Sequence, residues 1–455
     1  MEQPDVIVVG GGFSGASLAS ALADGGRRAL VLEARAGRNP RFAGELIHPT
    51  GVDVLAAHKL LAPLLEEGGQ AIDGFAVVRE RDAPATLLNY DEIPGGRPHG
   101  LAIEHQTMVA RLRREALARG GIELRCDCRI SDLLRDGDGR VIGVRSDEGE
   151  ELRAPLVVAA EGRHSKLRGL LGIEEESRLL SMTAAVLAHD TSLPNPGYGH
   201  IFLGAWGPIL AYAIAPGEVR MCLDLPAGEG SEKGKAAIIA KLRADYAPFV
   251  AEPLREAMLR ALDHAGVDMA ANYAISTRRC VAPGAALVGE SGGCNHPLTA
   301  AGMTICLTDI RLLTDELRGL DLGDQRALDQ ALERYQKNRY RFVRAREVLS
   351  DALYEVFRGA EDSTRALRHG IFRYWDGSAR ARASSMALLS GAESRLQVFI
   401  AEYLRVVAQS TGGVLTGQVN DPSLAGRMRS MVGMAGKAAE KLGRVVEGVR
   451  EGTLR

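Results

Sequence analysis

Glycines at 10, 12 and 15, with a carboxylate at Glu33, have the types and spacing that hold a pyrophosphate and a ribose. They lie in VIVVGGGFSGASLASALADGGRRALVLE, residues 6–33. Gly10 permits a tight turn after an apolar strand, Gly12 lets backbone approach a phosphate, and Gly15 lets helix pack closely on strand. Phe13 and Ser14 open that helix, whose free N–H groups and positive dipole end suit an anion. Glu33 closes a second apolar run and is placed to accept hydrogen bonds from a ribose hydroxyl. Strand, turn, helix, strand and acid follow in order, which an isolated glycine triplet does not give. The expectation is a dinucleotide site.

Two later segments carry residues suited to the same ligand. In LVVAAEGRHSKLR, residues 156–168, a buried strand ends on Glu161-Gly162 and is followed by Arg163, Ser165 and Arg168. This reads as a loop near a pyrophosphate, or as an ordinary strand-to-helix turn with surface basics. In ALVGESGGCNHPLTAAGMTICLTDI, residues 286–310, a second buried strand ends on Gly289-Glu290. There a Pro-Leu-Thr-Ala-Ala-Gly-Met loop, Pro297 to Met303, then starts a helix. Amides near Gly302 and Met303 would favour negative charge, such as that on a reduced flavin ring.

The positioning elements alternate between α and β. A helix is expected over 105–119 and a β-meander through 122–153 that returns to a strand at 156–160. Strands fill 182–226, a helical stretch covers 232–263, a helix starts near Gly302, and residues from about 325 onward read as helix. The expected fold class is therefore α/β. A Rossmann-like dinucleotide domain would be assembled from 1–75, 103–180 and 281–340. A β-sheet substrate domain would come from 76–102 and 181–280, and a helical region from 341–455.

With 455 residues, 46% hydrophobic and 25% charged, the chain can bury a large core. A net charge of −2 gives no electrostatic ground for nucleic-acid binding. No apolar run reaches the roughly 18–20 residues of a membrane span. The N-terminus enters the first strand without a basic-then-apolar leader, so a cytoplasmic location is expected. Six cysteines show no CxxC and no Cys/His spacing suited to zinc, so no metal is expected. Apolar stripes at 395–407 and from Arg427 onward read either as packing on the chain's own core or as a peripheral membrane contact.

The three segments together resemble the group A flavoprotein monooxygenases of the para-hydroxybenzoate-hydroxylase-like fold, and most closely their squalene monooxygenase branch. RFAGELIHPTG at 41–51, GPILAYAIAPGEVRMCLDLP at 207–226 and NHPLTAAGMTICLTDI at 295–310 are similar to motifs of that branch. LSDALYEVF at 349–357, LRHGIFRYWDG at 367–377 and LLSG at 388–391 extend the likeness to about residue 415. The resemblance implies FAD, with Gly10, Gly12, Phe13, Ser14, Gly15, Glu33, Ala34, Arg35 and Ile130 among its contacts at the nucleotide end. Arg41, Glu161, Gly162, Gly289 and Glu290 would follow toward the ribityl chain, and Pro297, Ala301, Gly302 and Met303 would line the ring. The chemistry implied is oxygen insertion through a flavin C4a-hydroperoxide into a lipophilic isoprenoid or prenylated aromatic. No catalytic side chain is then required. Electrons would come from NAD(P)H, directly or through a partner reductase.

Departures from the family pattern accompany the likeness. Glu161-Gly162 and Gly289-Glu290 stand where relatives carry aspartate, and Ala300-Ala301 replace two glycines. His48 replaces a glutamine, and Phe75 stands where the branch has a tyrosine. His48, Phe75, Tyr212 and His296 are the candidate substrate-facing residues, each with ordinary packing as the alternative. Two other functions remain open on sequence: a geranylgeranyl-reductase-like flavin enzyme that saturates double bonds, and a flavoprotein reduced to a binding role.

Overall fold

A computed structural model describes residues 3–37, 42–81, 83–204, 206–227, 234–420 and 423–450, with side chains of the last helix described through 444. Four short apolar strands with every residue buried, Val6–Val9, Ala29–Leu32, Leu156–Ala159 and Ala285–Leu287, lie side by side in parallel. Ile122–Arg125 extends the parallel set on one side, and Val281–Ala282 adds an antiparallel edge on the other. Unbroken apolar runs of this kind mark strands covered on both faces. Helices Phe13–Asp24 and Gly302–Leu317 pack against each other over this core. Residues distant in sequence are thus joined in one sheet, and each of the three site-like loops leaves its C-terminal edge. That edge is where ligands bind in open α/β sheets.

A second sheet of seven strands runs in the order Asp268–Thr277, Glu175–Ala188, Glu218–Pro226, Ile209–Ala215, Tyr198–Phe202, Gly74–Val78, Thr86–Asn89. All neighbours are antiparallel except Tyr198–Phe202 with Gly74–Val78. The meander over Ile130–Arg135, Val141–Ser146 and Glu151–Arg153 forms a separate three-stranded sheet. The helical stretch expected over 232–263 is interrupted. Gly234–Lys241 continues into wider and tighter turns through Phe249, and a new helix, Leu254–His264, starts only after Pro253. Proline lacks the N–H to continue a helix but fits at its start.

The C-terminal part is helical: Gln325–Arg358, Asp362–Asp376, Ala379–Ser390, Leu396–Leu415 and Leu424–Arg450. Asp324 caps the first of these through the Ala327 N–H, and Gly359 ends it in the left-handed conformation (φ 57°). The five glycines of the last helix do not break it. The stripe expected on 395–407 corrects one membrane reading. Leu396, Phe399, Ile400 and Tyr403 are buried against the chain's own core, and only Leu404 of the larger residues is exposed.

Candidate active site

The nucleotide end is built around glycine backbone. Gly10 takes φ 103°, and a Cβ there would lie 2.5 Å from the Ala160 carbonyl oxygen. A Cβ on Gly15 would lie 1.8 Å from the Gly10 oxygen, so strand and helix meet backbone to backbone. Gly12 faces open space instead. It precedes helix Phe13–Asp24, which has no side-chain cap and no acid in its first turn. Uncapped N–H groups beside an open glycine fit a pyrophosphate.

Glu33 accepts from the Gly11 N–H (2.8 Å) and the Arg35 N–H (3.1 Å), and pairs with Arg113 at 3.2 Å. Arg113 also donates to the Gly11 carbonyl (2.6 Å). Its position on a helix about 80 residues beyond Glu33 gave no sequence signal. Ala34 and Arg35 follow on the surface, and Ile130 lies two residues beyond Cys128, whose N–H donates to the Glu33 carbonyl. Arg41 lies outside the described residues.

The two glutamates at the aspartate positions diverge. Glu161 accepts from the Ser165 hydroxyl (2.6 Å) and the Leu167 N–H (3.0 Å), so its carboxylate caps the short helix behind it. Glu290 is exposed within a turn beside Gly162. Gly289, at φ 61°, lies so close to Ser14 that a Cβ would be 2.6 Å from its hydroxyl. Its N–H donates to Asp309 (2.9 Å), which pairs with Arg339 at 3.0 Å. Burial raises the Asp309 carboxyl above its usual range while the guanidinium opposes that shift.

At the ring end, Pro297 and Gly302 are exposed while Ala301 and Met303 are buried. Ala301 starts helix Gly302–Leu317 without a side-chain cap. Helices His105–Leu117, Gln325–Arg358 and Ala379–Ser390, by contrast, are capped by Glu104, Asp324 and Ser378. Free donors at this dipole end fit the charge of a reduced flavin ring. Ala300 adopts the left-handed conformation (φ 48°), which costs an L-residue roughly 1–2 kcal/mol. Two histidines hold the loop against that strain.

His48 Nε2 lies 2.7 Å from the Thr299 carbonyl and Nδ1 lies 2.6 Å from the Tyr90 hydroxyl. A carbonyl only accepts, so Nε2 carries the proton and Tyr90 donates to Nδ1. Burial lowers the His48 pKa to about 4, so the ring is neutral. His296 Nδ1 accepts from the Leu298 N–H (3.1 Å), which leaves Nε2 to donate to Asp224 (3.2 Å). Ser181 and Tyr354 also donate to Asp224, and Tyr354 stacks on His296 with ring centres 3.9 Å apart. The Ser181, His296 and Asp224 trio is not a nucleophile triad, because the aspartate shares Nε2 with the serine instead of orienting Nδ1.

Beyond this loop lies a cavity bounded by Phe75, Val77, Leu88 and Ile201 of the seven-stranded sheet. Leu298 and Thr299 close its loop end, and Leu353, Phe357, Trp375, Met386, Phe399 and Tyr403 come from the C-terminal helices. It is narrow: about 80 Å³ admits the centre of a water-sized sphere. Of the four substrate candidates, Phe75 alone lines it. His48 and His296 are spent on the loop, and Tyr212 donates to Glu45 (3.3 Å), which Arg220 grips through two hydrogen bonds (2.9 and 3.0 Å). Sequence periodicity marked the Phe399/Tyr403 stripe as apolar but not as a cavity wall.

Known proteins resemble this chain in sequence and in fold. The family model "Squalene epoxidase" matches residues 153–422. Squalene epoxidase 2, mitochondrial, of Arabidopsis thaliana is 32% identical over 399 residues, 86% of this chain and 67% of that protein. Squalene monooxygenase of Mus musculus is 28% identical over 422 residues, 90% of this chain and 71% of its own. Among solved structures, p-nitrophenol 4-monooxygenase PnpA from Pseudomonas putida superposes with TM-score 0.71 at 17% identity, covering 86% of this chain and 99% of that one. PqsL from Pseudomonas aeruginosa, a probable FAD-dependent monooxygenase, superposes with TM-score 0.65 at 24% identity, covering 85% and 99%. The chain belongs to the squalene epoxidase family of FAD-dependent monooxygenases.

Proposed function

We propose that this enzyme inserts one oxygen atom from O2 into a lipophilic isoprenoid, by epoxidation or hydroxylation, with the substrate held in the cavity between Phe75 and Phe399. The observation that carries the reading is a narrow apolar slot that ends on the Leu298/Thr299 side of the ring-binding loop. FAD, reduced by electrons from NAD(P)H, supplies the oxygen activation when bound. The residues of this chain bind, orient and exclude water. Gly10, Gly12 and Gly15 give the pyrophosphate backbone access, and Glu33 takes the ribose. The uncapped amides at Gly302 and Met303 favour negative charge on the ring. Phe75, Val77, Leu353, Phe357 and Phe399 keep the slot dry, which protects a reactive oxygen species from water.

The one carboxylate of the cavity wall, Glu402, is held by the Tyr374 hydroxyl and Arg405, which suits oxygen transfer driven by the cofactor. Turnover under isotopically heavy O2 tests the proposal: the product gains one heavy oxygen atom. Gain of two hydrogens with no need for O2 would assign the reaction to double-bond saturation.

Electron delivery through a partner reductase rests on the family resemblance. Peripheral membrane contact rests on the last helix. Leu424, Met428, Met431, Val432 and Leu442 form one exposed apolar stripe there, while Lys437 and Lys441 turn inward to pair with Glu355. That is the reverse of a solvent-facing helix. No described helix is long and apolar enough to cross a membrane. Co-sedimentation with phospholipid vesicles should fall when Met428 and Val432 are both changed to serine, and unchanged sedimentation would remove this contact.

A further inference from the structure

Two of the helices that wall the slot, Asp362–Asp376 and Leu396–Leu415, meet differently along their length. At Gly370 a Cβ would lie 2.7 Å from the Ser410 nitrogen and 2.8 Å from the Val406 carbonyl oxygen. At Gly413 it would lie 2.9 Å from the His369 ring. No space is left between the helices there. One turn beyond Gly370, at Tyr374, the contact is made by polar side chains instead. The Tyr374 hydroxyl donates to Glu402, and Arg405 pairs with the same carboxylate. Burial first, and then that carboxylate, push the Tyr374 hydroxyl well above its usual range, so it keeps the proton it donates.

This cluster spans the wall from inside to outside. Tyr374 and Glu402 both line the slot, beside Trp375 and Phe399. The Glu402 side chain is 11% exposed, whereas that of its partner Arg405 is 51% exposed. Tyr374 is half-buried. A carboxylate in a mostly apolar wall adds a desolvation cost and is tolerated because two donors hold it. Such contacts are directional and fail once the helices separate, whereas apolar contacts slide. The close approach at Gly370 is therefore a pivot, and the cluster ties the part of the helix pair that borders the slot.

We infer that Tyr374, Glu402 and Arg405 form the gate of the slot: a lipophilic substrate enters between Tyr374 and Glu402, and the cluster then re-forms and shuts water out. This rests on the slot being the substrate site and adds its route of entry. Closed, the gate keeps the slot dry for oxygen transfer.

Trp375 lines the slot and is 2% exposed, and Trp206, 55% exposed, is the only other tryptophan. In FAD-loaded, full-length Trp206→Phe protein, quenching of Trp375 fluorescence by acrylamide, a small neutral solute, therefore reads access to the slot. Losing a hydrogen bond to a charged group shifts an opening equilibrium about tenfold, so Tyr374→Phe should raise the quenching constant about threefold or more. Glu402→Gln, whose amide oxygen still accepts from Tyr374, gives a smaller rise. Tyr335→Phe removes a buried tyrosine hydrogen bond, to the Leu287 carbonyl (2.7 Å), in the nucleotide-binding core and leaves quenching unchanged. Unchanged quenching in Tyr374→Phe overturns the gate. An equal rise in Tyr335→Phe overturns it too, because it reads general loosening. Squalene and a prenylated phenol serve as probe ligands in the same assay, and at least one of them lowers quenching of the Trp206→Phe protein. Protection by a ligand without any effect of Tyr374→Phe removes the gate and leaves the lipophilic-substrate proposal standing. No protection by either ligand, with Tyr374→Phe still raising quenching, overturns the slot as the substrate site and with it the route of entry.

Discussion

The nucleotide end and the cavity end of this enzyme are built by opposite means. At the first, backbone meets backbone: Gly15 lies on the Gly10 carbonyl, and Gly10 lies on the Ala160 carbonyl. At the second, side chains from four helices, a sheet and the Leu298/Thr299 loop surround the space. A site made of backbone tolerates almost no added atom, whereas one made of side chains can be reshaped residue by residue. The conserved demands of a cofactor and the variable demands of a substrate are thus met by different chemistry in one chain.

The sharpest way to break this contrast is at Gly15. Gly15→Ala drives a methyl group into the Gly10 carbonyl at 1.8 Å, so FAD content after purification should fall to a few per cent or the chain should fail to fold. Full flavin loading would show that the turn has slack the geometry denies. In the cavity the same kind of test should give a graded answer. Phe399→Ala should cost about 3–5 kcal/mol of unfolding free energy yet keep FAD bound, since it removes packing far from the glycine turn. Chemical denaturation with flavin absorbance as a second signal distinguishes the two effects.

The loop between the regions should be sensitive to acid. The His48 pKa is about 4 in the fold against about 6.5 unfolded, so the unfolded chain takes up a proton first as pH falls. Stability is therefore complete above about pH 6.5, declines toward pH 4 and levels below it, a loss of about 3 kcal/mol from this residue. Melting curves of His48→Gln should decline less over that interval than those of the unmodified protein. An identical decline would place the acid sensitivity elsewhere. The smallest effect is expected at Ala300. Ala300→Gly should raise stability by roughly 1 kcal/mol by relieving the left-handed backbone, less the entropy glycine adds to the unfolded chain.

The same contrast explains what the sequence disclosed. The glycine turn, the order of its strands and the Pro-Leu-Thr loop were legible because local residues fix them through φ and close approach. Gly10 at φ 103° and Gly289 at φ 61° need no distant information. Glu33 was legible as a carboxylate at the right distance, but its partner Arg113 was not, because the pairing exists only once helix His105–Leu117 packs beside the strand that ends at Leu32. Residue type leaves His48, Tyr212 and His296 open between facing substrate and ordinary packing. Each satisfies a hydrogen-bond need set by neighbours far along the chain: Thr299, Glu45 and Asp224. The stripe at Phe399 and Tyr403 carried a clear helical period, yet periodicity says only that a face is covered. Whether it meets lipid, core or a cavity is decided by tertiary packing, and here it faces the cavity.

The central claim is that three separated segments grip one FAD whose ring opens onto the apolar slot. A structure of the FAD-loaded enzyme with a lipophilic ligand tests it most directly. The account predicts pyrophosphate at Gly12, the ring against Pro297 to Met303, and the ligand between Phe75 and Phe399. A ring turned away from Thr299, or a ligand seated outside that slot, would contradict it.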